Sequence, residues 1–429
     1  MRILHIVSSA GDAYYCGNCL RDSFQAQALL DSGCDLTLMP VFLPSRLLKG
    51  KKSSELFFAA IGYWLEREFF ESAKIPKALE KILSSKFALS LAKPFFGSTA
   101  PKAARKMTLS MIEADDPHFA REFKKIKAWI KSEGGFDLIH ISSTLMSGLA
   151  RALRREFKTP IVCSMQDEEV WLDKLSPADS ARAWAGIIKN AKYIEKFIAP
   201  SFYYKNKIQS RFPELKNIEV LYPCAPKAGA ARKKFPQAPT IGFLSGAKKS
   251  KGLELLADAF IKIKEQNSVE DLRLSIAGGF GLKDKKFLNS ILKKLSKFKD
   301  CVDFKADYKP EMHGEFFENI SLICVPADDE DALGLYVIEA FAHSKPAIEP
   351  DCGAFPEIIQ DAGLKFKEGC VDSLKSRLEL AFKDSKLFDT LCEKAKVLSN
   401  GRYSPETCAK NLKSIYADCL RNFSEKTSQ

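Results

Sequence analysis

Short apolar runs alternate with stretches of helical periodicity along most of the chain. Ile3–Val7, Leu36–Pro40, Leu138–Ile141 and Ile161–Met165 read as buried strands, with Phe197–Ala199 a shorter one. Helical patterns such as Asp22–Ser32 and Leu145–Phe157 lie between them. This alternation predicts a parallel sheet covered by helices on both faces. It stops after Leu221-Tyr222-Pro223, and Cys224 to Pro239, rich in Ala, Pro and Lys with little periodicity, reads as a linker. It then restarts with strand Thr240–Leu244, helix Leu253–Lys264, strand Leu272–Ala277 and helix Lys285–Lys297. Strand Val302–Lys305, helix Glu311–Glu318, strand Ser321–Val325 and helix Leu335–His343 continue it. Strand Pro346–Glu349 and a helix around Leu374–Phe382 complete it, and a last helix, Pro405–Arg421, is placed to cross back to the first domain. The expected architecture is α/β, with doubly wound parallel-sheet domains at 1–223 and 240–404, a linker at 224–239 and a crossing helix at 405–421.

Residues 46–135 interrupt the first domain with apolar and basic helical patterns (Leu56–Phe70, Ala78–Leu91), and read as an insertion outside the core. Its aromatics, Phe57, Phe58, Tyr63, Trp64, Phe69 and Phe70, suit a core-facing place, self-packing or contact with a membrane surface.

A composition of 46% hydrophobic and 28% charged residues is that of an ordinary soluble globular protein. The longest uncharged apolar stretch, Leu56 to Leu65, falls well short of the roughly 20 residues that span a bilayer. The opening apolar run is too short for a secretory signal, so a cytoplasmic protein is expected. Its net charge of +12 is uneven: Arg46 to Lys106 hold 13 Lys/Arg against 5 Asp/Glu. Such a stretch suits phosphates, an anionic membrane surface or a plain solvated face; without a helix-turn-helix, zinc-finger or RNP signature, nucleic acid is not expected. The 12 cysteines are scattered, as in a reducing compartment, and form a single CxxC at Cys16 and Cys19. No second Cys/His cluster completes four zinc ligands, and the pair reads as thiols in a structured loop.

The chemistry concentrates at Ala332-Leu333-Gly334-Leu335-Tyr336-Val337-Ile338-Glu339-Ala340-Phe341-Ala342. A glycine follows an acidic loop and opens a helix that is apolar nearly all round. Such a helix is buried, so Glu339 inside it needs a hydrogen-bonding partner. Its two acceptor oxygens suit a vicinal diol such as a ribose, and the helix start attracts a phosphate. The alternative is a cap or an ion pair within the fold.

Asp331 to Glu339, with Lys345-Pro346 and Gly353-Ala354-Phe355-Pro356-Glu357-Ile358, resembles the E-x7-E block of family 4 retaining glycosyltransferases. The resemblance implies the GT-B fold, two Rossmann-like domains facing a cleft, and transfer of a sugar from a nucleotide-diphosphate-sugar donor. It gives Glu339 the donor ribose and puts Asp331 where the family has a Glu at the transferred sugar; Glu330 is one residue off register. Gly334, Leu335 and Tyr336 form the donor-binding helix start. Gly246-Ala247-Lys248-Lys249-Ser250-Lys251-Gly252 resembles the family's G-R-x-x-x-x-K-G segment, with Lys251 as its Lys and Lys248 in place of its Arg. Both cations would stabilise the departing diphosphate; otherwise the segment is a solvated turn.

In the first domain Gly17, or alternatively Gly11, matches a glycine-containing loop facing donor and acceptor. Gln166 stands where many relatives carry a His near the transferred sugar, and Ser201 in Ala199-Pro200-Ser201 falls in a cleft-side loop. His140 ends a strand and suits either the cleft or an internal hydrogen bond. The resemblance implies no metal or other cofactor, a nucleotide-sugar donor as partner, and an acceptor it does not identify (a glycan, a lipid-linked or a small molecule). A GT-B protein that binds without turnover is the alternative. A dinucleotide enzyme would need G-x-G-x-x-G after a first strand, and neither glycine pair has that spacing.

Overall fold

The computed structural model describes residues 1–8, 15–41, 101–226, 238–246, 248–281, 284–305, 312–327 and 333–428. Contacts divide the chain into two compact units.

The first unit takes in Asn18–Leu221, the strand before it and the chain from Ala409 onward. Its strands are β1 (Arg2–Val7), β2 (Asp35–Pro40), β3 (Leu138–Ile141), β4 (Ile161–Ser164), β5 (Lys196–Ala199) and β6 (Ile218–Val220). They form one sheet in the order β2-β1-β3-β4-β5-β6, every pair parallel. Ile3, Leu4, Ile6, Leu138 and Ile161 are fully buried, as strands covered on both faces require. From β1 the chain builds β2 on one side and then β3 to β6 on the other. The loops leaving β1 and β3 therefore flank the topological switch point, where open α/β sheets bind ligands.

The sequence places 46–135 outside the core, and the helices Pro101–Glu113 and Pro117–Ser132 correct that reading. Ile112, Ile126 and Ile130 are buried, and both helices pack on the Ser147–Glu156 helix, the first also on Pro177–Ala191. Asn190 Nδ2 donates to the Ile112 carbonyl at 2.7 Å, and Trp171 Nε1 donates to Thr108 Oγ1 at 3.0 Å. An amphipathic helix beside a basic stretch looks like an appendage until its apolar stripe has a partner. The aromatics from Phe57 to Phe70 and most of the basic stretch lie outside the described residues.

The last helix, Pro405–Ser428, groups with this unit from Ala409 on. Tyr416 is fully buried with its hydroxyl 2.7 Å from His140 Nδ1, and Lys413 Nζ donates to the Ser32 carbonyl at 2.7 Å. The Arg154 guanidinium lies 4.1 Å from the centre of the Phe423 ring.

The second unit comprises Tyr222–Cys408 together with Tyr15, Cys16 and Gly17. Its strands are β7 (Thr240–Leu244), β8 (Arg273–Ala277), β9 (Val302–Phe304), β10 (Leu322–Ile323), β11 (Ala347–Pro350) and β12 (Gly363–Phe366). They form a second parallel sheet, β12-β11-β10-β7-β8-β9. From β7 the chain runs outward to β9, then returns to place β10 on the other side, so the switch point lies between β7 and β10. Residues 227–237 of the expected linker lie outside the described residues.

Candidate functional site

In the second unit the chain leaving β7 makes a turn of 3-10 helix at Lys249–Lys251 and enters the Leu253–Glu265 helix through Gly252. Gly252 has φ +71°, and a Cβ there would run into the carbonyl of Pro326. Only glycine satisfies both demands. The Lys248–Lys251 turn is thereby held against the chain leaving β10, at the switch point. Lys248 is exposed and Lys251 half-buried.

On the β10 side Gly334, at φ +50°, opens the helix Leu335–Ala342; a Cβ on it would come within 2.9 Å of Ile358 Cδ1. The side chains of Leu335 and Tyr336 are buried, so what these residues can offer a ligand is backbone N–H at the helix start. Gly17 lies at the foot of this helix, its Cβ direction 3.4 Å from Leu333 Cδ2 and 3.7 Å from Leu335 Cβ. Gly11, Ala247, Glu330 and Asp331 lie outside the described residues.

Glu339 is 2% exposed within this helix, and its carboxylate meets two rings. Tyr15 donates its hydroxyl to Oε2 at 2.6 Å. His313, first residue of the His313–Asn319 helix, brings Nε2 to 2.6 Å from Oε1, close but without the alignment of a full hydrogen bond. Tyr15 is tied down at its other end, its backbone N–H donating to the Gly278 carbonyl just past β8 at 2.9 Å. The rings form a short stack: Tyr15 and His313 lie 8° from parallel, and Phe317 sits edge-on to His313 at 5.1 Å. His343 stacks on the far side of Phe317 at 4.9 Å. Burial first, then the charges of His313 and Lys345, pull the His343 imidazole down to about 4.

The first unit gathers a separate group. Gln166, half-buried after β4, points Nε2 at Asp22 Oδ2, 3.3 Å away. Asp22 is buried and paired with Arg21, which donates Nη2 to Oδ1 at 2.7 Å and Nη1 to the Met165 carbonyl at 2.9 Å. The Gln166 backbone is fixed by Glu168, whose carboxylate accepts from Gln166 N at 2.8 Å, Thr144 N at 2.9 Å, Ser143 Oγ at 3.0 Å and the Tyr204 hydroxyl at 2.9 Å. A buried carboxylate met by four donors stays satisfied, and it binds the β4 loop to the β3 loop. Burial, followed by the charges of Glu168 and Glu169, pushes the Tyr204 hydroxyl well above its ordinary value.

Two sequence candidates take structural places. Ser201 is fully buried and caps the Phe202–Arg211 helix by accepting from Tyr204 N at 3.1 Å. His140 is fully buried, with Nε2 2.8 Å from Ser164 Oγ, Nδ1 on Tyr416 and its ring stacked on His5 at 4.4 Å. Burial first, then His5 and Arg21, holds it well below the usual imidazole range. Cys16 and Cys19 are half-buried at the start of the Gly17–Asp31 helix. Among the described residues no three His, Cys, Asp or Glu are grouped to hold a metal ion.

Sequence reasoning missed Tyr15, His313, Arg21, Asp22 and Glu168. Their only advance signals are the closeness of Tyr15 to Gly17 and of Glu168 to Gln166; nothing local marks His313.

Residues 227–398 match the family described as glycosyl transferases group 1. No curated protein sequence matches the chain. Among solved structures it is similar to sucrose-phosphate synthase from Thermosynechococcus elongatus (14% identity, 98% of this chain and 100% of that one, TM-score 0.70). It is also similar to Anabaena HepE in complex with UDP and glucose (14%, 97% and 99%, 0.66). The catalytic domain of starch synthase IV from Arabidopsis thaliana bound to ADP and acarbose aligns comparably (12%, 98% and 100%, 0.67). At these identities the likeness speaks for the fold.

Proposed function

We propose that this chain, a glycosyltransferase of the GT-B fold that takes its sugar from a nucleotide-sugar donor, works by a family 4 retaining mechanism without a metal ion. The observation that carries the reading is Glu339: a buried carboxylate that accepts from the Tyr15 hydroxyl and is approached by the His313 ring, in the helix that starts beside the β7/β10 switch point. A ribose diol supplies hydroxyl donors of the kind it takes from Tyr15. The diphosphate lies at the helix start formed by Gly334, Leu335 and Tyr336, where first-turn N–H groups lack intrahelical acceptors. Lys251 and Lys248 face the charge that develops as the diphosphate departs. Lys in place of Arg supplies that charge without a bidentate fork.

Asp331 and Gln166 are assigned to the transferred sugar. Gln donates and accepts hydrogen bonds without titrating, so its part is to orient a hydroxyl. Gly17 keeps the approach to the helix start open, since a side chain there would fill the space beside Leu335. The acceptor is a glycan, a lipid-linked or a small molecule. In this reading the protein is cytoplasmic, and the basic stretch 46–106 rests against an anionic membrane surface. No described helix is long and apolar enough to cross a membrane.

The test is a panel of nucleoside diphosphates and their sugars, scored by thermal shift and then by nucleotide release. Glu339→Ala should abolish binding. Lys251→Ala should leave binding detectable and cut release by about 100-fold or more, the scale of losing one group aimed at transition-state charge. A panel in which no nucleotide binds, or release untouched by either substitution, would sink the proposal.

A further inference from the structure

We propose that His313 is a positioning residue that sets the orientation of the Glu339 carboxylate and so makes the nucleotide site discriminate ribose from 2′-deoxyribose. The inference rests on the donor reading above and adds to it a residue and a selectivity.

The argument starts from the carboxylate. Glu339 is one of a few charged side chains in a layer where Leu335, Val337, Ile338, Ala340 and Phe341 are all buried. Its helix neighbours cannot fix its χ angles by polar contact, so its orientation depends on what meets the two oxygens. Tyr15 meets Oε2 from a loop, while His313 meets Oε1 from a helix. The His313 ring is itself braced, edge-on to Phe317 one turn further along its own helix, and Phe317 is fully buried and stacked on His343. His313 is thus braced through its ring and Tyr15 through its backbone, and the His313 ring is what meets the Oε1 side. A carboxylate has about four lone-pair directions, two on each oxygen. With one on Oε1 turned toward His313, the remaining directions on both oxygens are fixed in space.

A ribose presents two adjacent hydroxyls whose donors must both find acceptors in a site that excludes water. A fixed carboxylate takes both; a rotating one takes either. The 2′-deoxy sugar leaves one fixed acceptor direction unanswered, and an unanswered buried acceptor costs more than a hydrogen bond contributes. Without His313 the carboxylate turns to share itself differently, and the penalty on the deoxy sugar fades. A residue that merely supported the fold would change affinity for both sugars alike.

The experiment measures dissociation constants of UDP, ADP, GDP and CDP and of their 2′-deoxy counterparts on the full chain, for wild type, His313→Ala and His313→Gln. Wild type should prefer the ribose form of whichever nucleotide it binds by about tenfold, the scale of one buried hydrogen bond. His313→Ala should bring that ratio near one. His313→Gln, whose amide can approach Oε1 from the same helix position, should keep most of it. A ratio unchanged in His313→Ala, with both affinities falling together, overturns the inference and leaves the donor reading standing. So does a wild type that binds both sugars equally. If wild type binds none of the ribose diphosphates, the donor reading itself fails and takes the inference with it.

Discussion

Tyr15 and Glu339 lie 324 residues apart in sequence and 2.6 Å apart in the fold, and that pair shows how single residues were and were not legible. Glu339 announced itself, because one carboxylate in an otherwise apolar helix demands a buried partner. Its partners did not. Tyr15 and His313 are ordinary residues in their own neighbourhoods, and their meaning comes from a contact no local pattern encodes. Ser201 shows the other case: a Ser ahead of a helix is first a cap, and its buried hydroxyl accepts from Tyr204 N. At this scale Tyr15→Phe should have two opposed effects. Loss of the hydroxyl leaves Glu339 Oε2 short of a buried donor, at about 1–3 kcal/mol of stability in the nucleotide-free chain. The same loss removes the competitor for that oxygen, so nucleoside diphosphate should bind several-fold tighter. Calorimetry read against urea unfolding would show both; weaker binding by Tyr15→Phe would mean that the phenol hydroxyl takes part in holding the nucleotide.

Among elements, strands with long buried runs were read nearly to the residue, and the two that were missed share a cause. β6 and β12 lie at the edges of their sheets, and their residues are only partly buried. Each is broken by an exposed charged residue, Glu219 or Lys365, so neither gives the continuous buried run that marks the edge strand β2. The helix Ser385–Asn400 was missed because its buried stripe (Phe388, Leu391, Ala395, Ser399) is thin and ends on a polar residue. The C-terminal helix carries a testable charge effect through His140. Burial beside His5, under Tyr416, keeps its folded value below that of the unfolded chain, so the unfolded chain takes up the proton first. Stability is therefore complete above the unfolded value near 6.5 and is lost as pH falls toward the folded one, by at most about 1.4 kcal/mol per pH unit per imidazole. His343, pulled down to about 4, acts in the same direction over the window from about 6.5 to 4. Thermal unfolding from pH 7.5 to 5 should show a falling melting temperature, with a shallower fall in His140→Asn. An equal slope in the variant would place the acid sensitivity elsewhere.

For the whole molecule, the sequence by itself determined that there are two parallel α/β units, because strand and helix periods and the break after Pro223 are properties of the chain read locally. The switch points it did not determine, because they follow from strand order, which pairing in the folded sheets decides. The metal-free reading belongs at this scale: with Lys248, Lys251 and a helix start opposing the diphosphate, nucleotide release should proceed unchanged in excess EDTA. A loss restored by added divalent ion would show that the cations do not suffice. What only the tertiary structure decided is which polar groups are spent inside the fold and which are aimed at a ligand. Ile112, Ile126 and Ile130 proved to be core once the Ser147–Glu156 helix was there for their helices to pack on. His140, a strand-end histidine in sequence, is closed in by a helix that comes more than 270 residues later, through the contact with Tyr416. Local periodicity fixes where the chain is helical or extended. Satisfaction of a buried charge is a long-range condition, met by residues that only folding brings together.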